Sequence, residues 1–124
     1  MDTPDLTNPK DLIGITKPSF TVIPPSALLH MGRAMQNGAQ KYGAFNWRSK
    51  AVRASIYVDA GLRHKLSWWD GEEVASDSLV HHLAHDMACN AILIDALTTG
   101  NLVDDRPPPG GLADLIAQFT TGSK

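Results

Sequence analysis

The chain has 124 residues, a formal net charge of -2 and a pI near 6.2, enough for one domain with a modest core that assembly would enlarge. It lacks the basic excess that draws a protein to nucleic acid or to an anionic membrane, so neither is expected as a partner. A single cysteine, Cys89, excludes an intrachain disulfide, and no apolar run reaches signal-peptide or membrane-span length, so the expected location is the cytoplasm.

Prolines at 4, 9, 18, 24 and 25 remove backbone donors and fix φ, so residues 1–25 are expected to form an extended arm. Ser26 can cap a first helix whose apolar positions Leu28, Leu29, Met31, Met35 and Ala39 share a face until Gly43. Over 52–69, Val58, Leu62, Leu66 and Trp69 fall on one side, while Ser55, Asp59, Arg63 and Ser67 form a polar seam. Gly71 ends that helix. Ser76 or Asp77 is the expected cap of a third, running to about Thr98 before Gly100. The stretch "DDRPPPGG" is a linker, and Leu112, Leu115, Ile116 and Phe119 make a short amphipathic helix suited to docking on another subunit. With no repeat and no period-2 pattern, the fold class is all-α: a small helical bundle, 26–98, between the arm and a linker with its short C-terminal helix, 99–124, in a single domain.

The candidate chemistry lies in "WWDGEEVASDSLVHHLAHDMACN". At about 100° per residue, a helix starting at Asp77 places Asp77, Ser78, His81, His82, His85 and Asp86 in one polar sector centred near His85. Histidines four apart with carboxylates one turn away can converge on a divalent cation; the competing reading is a solvated helix start in which Asp77 serves only the helix dipole. Glu72 and Glu73 reach the same cleft or remain in solvent. Arg63 can meet a phosphate with Asp59 orienting it, or form a surface pair; His64 is a packed residue or a cleft residue. The segment "KYGAFNWR" offers Lys41 and Arg48 as cations, Asn46 for a base edge, and Tyr42 and Trp47 for stacking or for anchoring a loop.

The succession "IPPSALLHMGRAMQNGAQKYGAFNW", "RHKLSWWDGEE" and "DSLVHHLAH" resembles the phage and bacterial family described as dATP/dGTP diphosphohydrolase, MazG-like, N-terminal domain, over about residues 17 to 97. The resemblance implies an all-helical nucleotide pyrophosphohydrolase, in the host cytoplasm if phage-encoded, in which metal-activated water cleaves between the α- and β-phosphates of dGTP or dATP. The matching positions are Lys41, Tyr42, Gly43, Asn46 and Trp47; Arg63 and His64; Gly71 and Glu72; Ser78, His82 and His85. Three positions depart from the family pattern: Ala75 stands where an acid is expected, Asp77 replaces a glutamate, and Asp86 replaces a small residue. The "ExxE…ExxD" carboxylates of the wider MazG-like group are absent.

The working assignment gives catalysis to Asp77, His82, His85 and Glu72, metal ligation to Asp77, His82, His85 and Asp86, and substrate binding to Lys41, Tyr42, Asn46, Trp47, Arg63 and His64. The cofactor is a divalent metal, magnesium or manganese, with cobalt or zinc also compatible with imidazole ligands. The expected partners are the nucleoside triphosphate and further copies of the chain, as a dimer or tetramer. Two alternatives remain: a non-catalytic oligomer binding a nucleotide or signalling molecule, and an HD-type phosphohydrolase using His64, His85-Asp86 and Asp95.

Overall fold

The computed structural model describes residues 7–122, which form the all-α bundle that the periodicity predicts. The order is α1 (Pro9–Gly14), α2 (Pro25–Tyr42), α3 (Asn46–Ser49), β1 (Val52–Arg53), α4 (Ala54–Trp69), α5 (His82–Thr99), β2 (Leu102–Val103) and α6 (Leu112–Phe119). No helix among the described residues is long and apolar enough to cross a membrane.

Antiparallel α4 and α5 form the central hairpin, and α2 packs across α5. The layers meet through small residues: Ala34 of α2 packs with Val80, Ala84 and Ala88, with Met35 and Met87 at the margin. Gly61 brings α4 close to α5, since a Cβ there would stand 2.7 Å from Asp86 Oδ1. A two-residue parallel pairing, Val52 with Leu102 and Arg53 with Val103, ties the start of α4 to the end of α5. Asn101 reinforces it by donating from its side-chain amide to the Trp47 and Lys50 carbonyls.

Three expectations are corrected. The N-terminal arm is not extended throughout: Asn8 caps α1 by accepting from the Lys10 N–H at 2.9 Å, and Pro9 opens the helix where no N–H is needed; residues 1–6 lie outside the described ones. Ser26 is not the cap of α2. Pro24 holds that place and Pro25 the first helical position, because its fixed φ suits helix entry. The largest change concerns α5, which starts at His82, not near Ser76 or Asp77. Its cap is His81, whose Nδ1 accepts from the Leu83 N–H at 3.0 Å.

Residues 70–81 instead form a folded-back loop. Its Ala75 N–H donates to the Val80 carbonyl at 2.9 Å, and Val74 bridges His81. Ala75 and Val80 are both buried, which pins the loop to the bundle, and Leu79 turns the chain with φ 61°, an uncommon conformation for a non-glycine residue.

Candidate active site

An open cavity of about 730 Å³ lies between α2 and α4, with α5 as its floor. Met35, Tyr42, Phe45, Trp47, Ile56, Tyr57 and Ile92 give it apolar walls, whereas Lys41, Arg63, His64, Asp77 and His85 also reach it. Along the α4/α5 hairpin, Tyr57 and Ile92 lie towards one end and His64 and His85 towards the other, separated along α4 by about 10 Å, or seven residues at 1.5 Å each.

At the histidine end, elements distant in sequence meet. His64 from α4 and His82 from α5 face each other through their Nδ1 atoms at 2.8 Å, and His82 Nε2 bonds to Glu72 of the loop. With both rings neutral, the carboxylate fixes the proton pattern: His82 donates its Nε2–H to Glu72 and its Nδ1 accepts the Nδ1–H of His64. His64 Nε2 is therefore left carrying a lone pair, on a ring that lines the cavity. The His64 ring stacks on that of His85, centroids 4.6 Å apart and 22° from parallel. His85 Nε2 in turn lies 2.8 Å from Ser78 Oγ, which accepts from the Val80 N–H and so has its own hydrogen to donate to the imidazole.

Burial, and then the adjacent His82, push His64 below the ordinary histidine value; burial, and then His64, do the same for His85. Both rings are thus neutral near pH 7 and able to accept a proton. Lys41 pairs with Asp77 at 3.2 Å, and this hydrogen bond holds the Asp77 carboxyl below its usual range. Both side chains are exposed, so the pair opens to a ligand at little cost. Arg63 lines the cavity, and among the described residues it makes no ion pair, with Asp59 or any other carboxylate.

Of the assigned residues, Glu72, His64, His82 and His85 come together, joined by Ser78. Lys41, Tyr42, Asn46, Trp47, Arg63 and Asp77 line the same cavity. Asp86 does not join the cluster, because its side chain is buried beneath α4, paired with Lys65 at 3.0 Å beside Gly61. The expected ligand set Asp77, His82, His85 and Asp86 is thus dispersed. Among the described residues no three histidine, cysteine or acidic side chains are gathered as a metal site.

Several residues around the cavity go beyond those that the sequence assigns to it. Tyr57 and Ile92 were invisible as lining because they belong to apolar helical patterns, whereas Gly61 with Lys65 one turn later was a readable signal of a close helix contact over a buried acid. Trp47 is half-buried, with the Phe45 ring 5.7 Å away and the Arg48 guanidinium 5.1 Å from its centroid, so it anchors α3 as well as lining the cavity. Arg48 clasps Asp95 through two bonds of 2.6 and 2.7 Å. That pair occupies Asp95 at the far end of α5 and removes it from the HD-type arrangement.

The family model for dATP/dGTP diphosphohydrolase, N-terminal, matches residues 7–106, and the chain belongs to that family. No curated protein and no solved structure matches it.

Proposed function

We propose that this member of the dATP/dGTP diphosphohydrolase family cleaves a deoxypurine nucleoside triphosphate between its α- and β-phosphates, releasing the monophosphate and pyrophosphate. The observation that carries this reading is the cavity's division: apolar and aromatic walls towards one end, and at the other a chain of bonds from Glu72 through His82 to His64, which lines the cavity together with Arg63. The base lies against Tyr42, Phe45 or Trp47 with Asn46 at its edge, and the phosphates reach Arg63 and Lys41 once Asp77 releases the latter.

His64 then takes the proton of the attacking water. His82 and Glu72 hold the ring in the tautomer that presents Nε2 and stabilise the imidazolium that forms, a role worth about 10²- to 10⁴-fold for a well-placed base. The water oxygen bonds to the α-phosphorus, and the bond from that phosphorus to the bridging oxygen breaks. Pyrophosphate leaves with the negative charge, which Arg63 and Lys41 offset. The divalent ion, magnesium or manganese, would enter with the triphosphate, whose oxygens suit either ion.

The test is product analysis with each deoxynucleoside triphosphate, with magnesium and with manganese. Monophosphate plus pyrophosphate is expected, fastest with the purines. Nucleoside plus tripolyphosphate refutes the mechanism, and tight nucleotide binding without turnover in either metal identifies a binding protein instead.

A further inference from the structure

Among the described residues the buried apolar side chains are alanines and valines, and most of the larger apolar ones are exposed. Two of these outer surfaces are regular. On α4, Val58, Leu62, Leu66 and Trp69 form a ridge turned away from the cavity-lining Tyr57, Ala60, Arg63 and His64. On α6, Leu112, Leu115, Ile116 and Phe119 fall within one face, opposite Asp114.

Every residue of α6 is exposed. An isolated helix of eight residues is too short to persist in water, where about 12 to 15 residues are marginal, so this one needs a surface to form on. Its own body does not supply that surface. Asp105 is fastened to Ser55 at the start of α4 by bonds of 2.9 and 2.5 Å. The Pro107–Pro109 run then extends at about 3.1 Å per residue, and both α6 and the chain's own α4 ridge stay exposed.

We propose that α6 of one protomer seats on the α4 ridge of a second copy, and that the second copy returns its α6, giving a two-fold dimer with exchanged C-terminal helices. The area supports this occupant. Each seat brings together eight apolar side chains exposed by 44% to 80%, about 100 Å² apiece on the scale of side-chain burial. Two symmetry-related seats therefore bury about 1,600 Å², the size of a standard stable interface. The contact is reciprocal, as a closed two-fold arrangement requires. It also grips α4 from behind while the other side of that helix carries Arg63 and His64. The inference rests on packing alone and stands or falls separately from the proposed reaction.

The experiment uses the full chain with Cys89→Ser. Leu62→Cys and Ile116→Cys are placed in separately tagged chains, mixed and oxidised, and light scattering is run on the unmodified protein and on Ile116→Asp and Leu66→Asp. The expected results are a disulfide between the two differently tagged chains, a dimer or an even multiple of it at micromolar concentration, and a smaller species for either aspartate variant with helical circular dichroism retained. If an aspartate variant loses its helical signal, the cross-link decides alone. The proposal is overturned by a monomeric or odd-numbered assembly, by failure of the two chains to cross-link, or by an assembly that both aspartate variants leave intact.

Discussion

Replacing Gly61 by alanine separates two effects that usually act together. In a helix interior the exchange is worth about 1 kcal/mol of stability, because alanine loses less backbone entropy. Here the added Cβ would stand 2.7 Å from Asp86 Oδ1 and 3.6 Å from Cys89 Cβ. The carboxylate has little room to retreat: it is buried, one oxygen holds Lys65 at 3.0 Å and the other is within 3.5 Å of the Asn90 amide. Overpacking of this kind costs about 1 to 3 kcal/mol, so Gly61→Ala should destabilise by roughly 1 kcal/mol net. In an Asp86→Ala background the obstacle is gone, Lys65 is exposed enough to hydrate, and the same exchange should stabilise by about 1 kcal/mol. The coupling is then about 2 kcal/mol, within the range for residues in contact. Urea unfolding of the four proteins at one fixed concentration measures it, since an assembling chain gains stability by mass action. If Gly61→Ala stabilises the parent chain as much as it stabilises the Asp86→Ala chain, the close approach of α4 and α5 at this point is not what limits the position.

Two further substitutions and one titration test the site. His85→Ala removes the stack that positions the His64 base and the bond to Ser78, and turnover should fall about 100-fold, the scale of a base displaced by about 1 Å, while the melting temperature moves little. His81→Ala should behave in the opposite way, losing the cap on Leu83 and about 1 kcal/mol of stability but keeping turnover within a few-fold; equal losses of activity in the two would show that no particular histidine matters. Because burial holds His64 and His85 below the usual value of about 6.5, the unfolded chain takes up protons first on acidification. Their contribution to stability is complete above about pH 6.5 and is lost as pH falls through the lowered folded-state values. The carboxylates of Asp77 and Asp95, held down by hydrogen bonds from Lys41 and Arg48, act only below about pH 4. Urea midpoints should therefore decline between pH 7 and 5, and a His64→Gln, His85→Gln protein should flatten that decline; an unchanged slope in the double variant would refute the assignment of neutral, half-buried rings.

The long helices were legible because their signals are local. The apolar spacing in α2 and α4 and the glycines at 43, 71 and 100 mark bodies and stops that hold in the structure. The start of α5 lies about five residues beyond the cap that the sequence suggests, because Ser76 and Asp77 have the chemistry of common caps, whereas the cap in use is a histidine nitrogen. The shift changes the site: a helical wheel drawn from Asp77 puts Asp77, His82, His85 and Asp86 on one metal-binding sector. The buried Ala75 and Val80 instead hold residues 70–81 in a reversing loop, and Asp86 turns beneath α4.

What the sequence could not display is the contact that orders the histidines. His64 meets His82 only because α4 and α5 lie antiparallel in one particular register, and Gly61 against Asp86 sets their separation three residues from His64 on one helix and four from His82 on the other. Glu72 completes the proton pattern from a loop folded by residues whose apolar character reads as ordinary core. The departure of Asp86 from the small residue expected there thus acquires a physical role. A larger, charged group on α5 is accommodated by the absence of a side chain at Gly61 and neutralised by Lys65 one turn along α4, so a residue that its spacing offers to metal chemistry sits where the two helices approach closely, about one turn from the two imidazoles that meet.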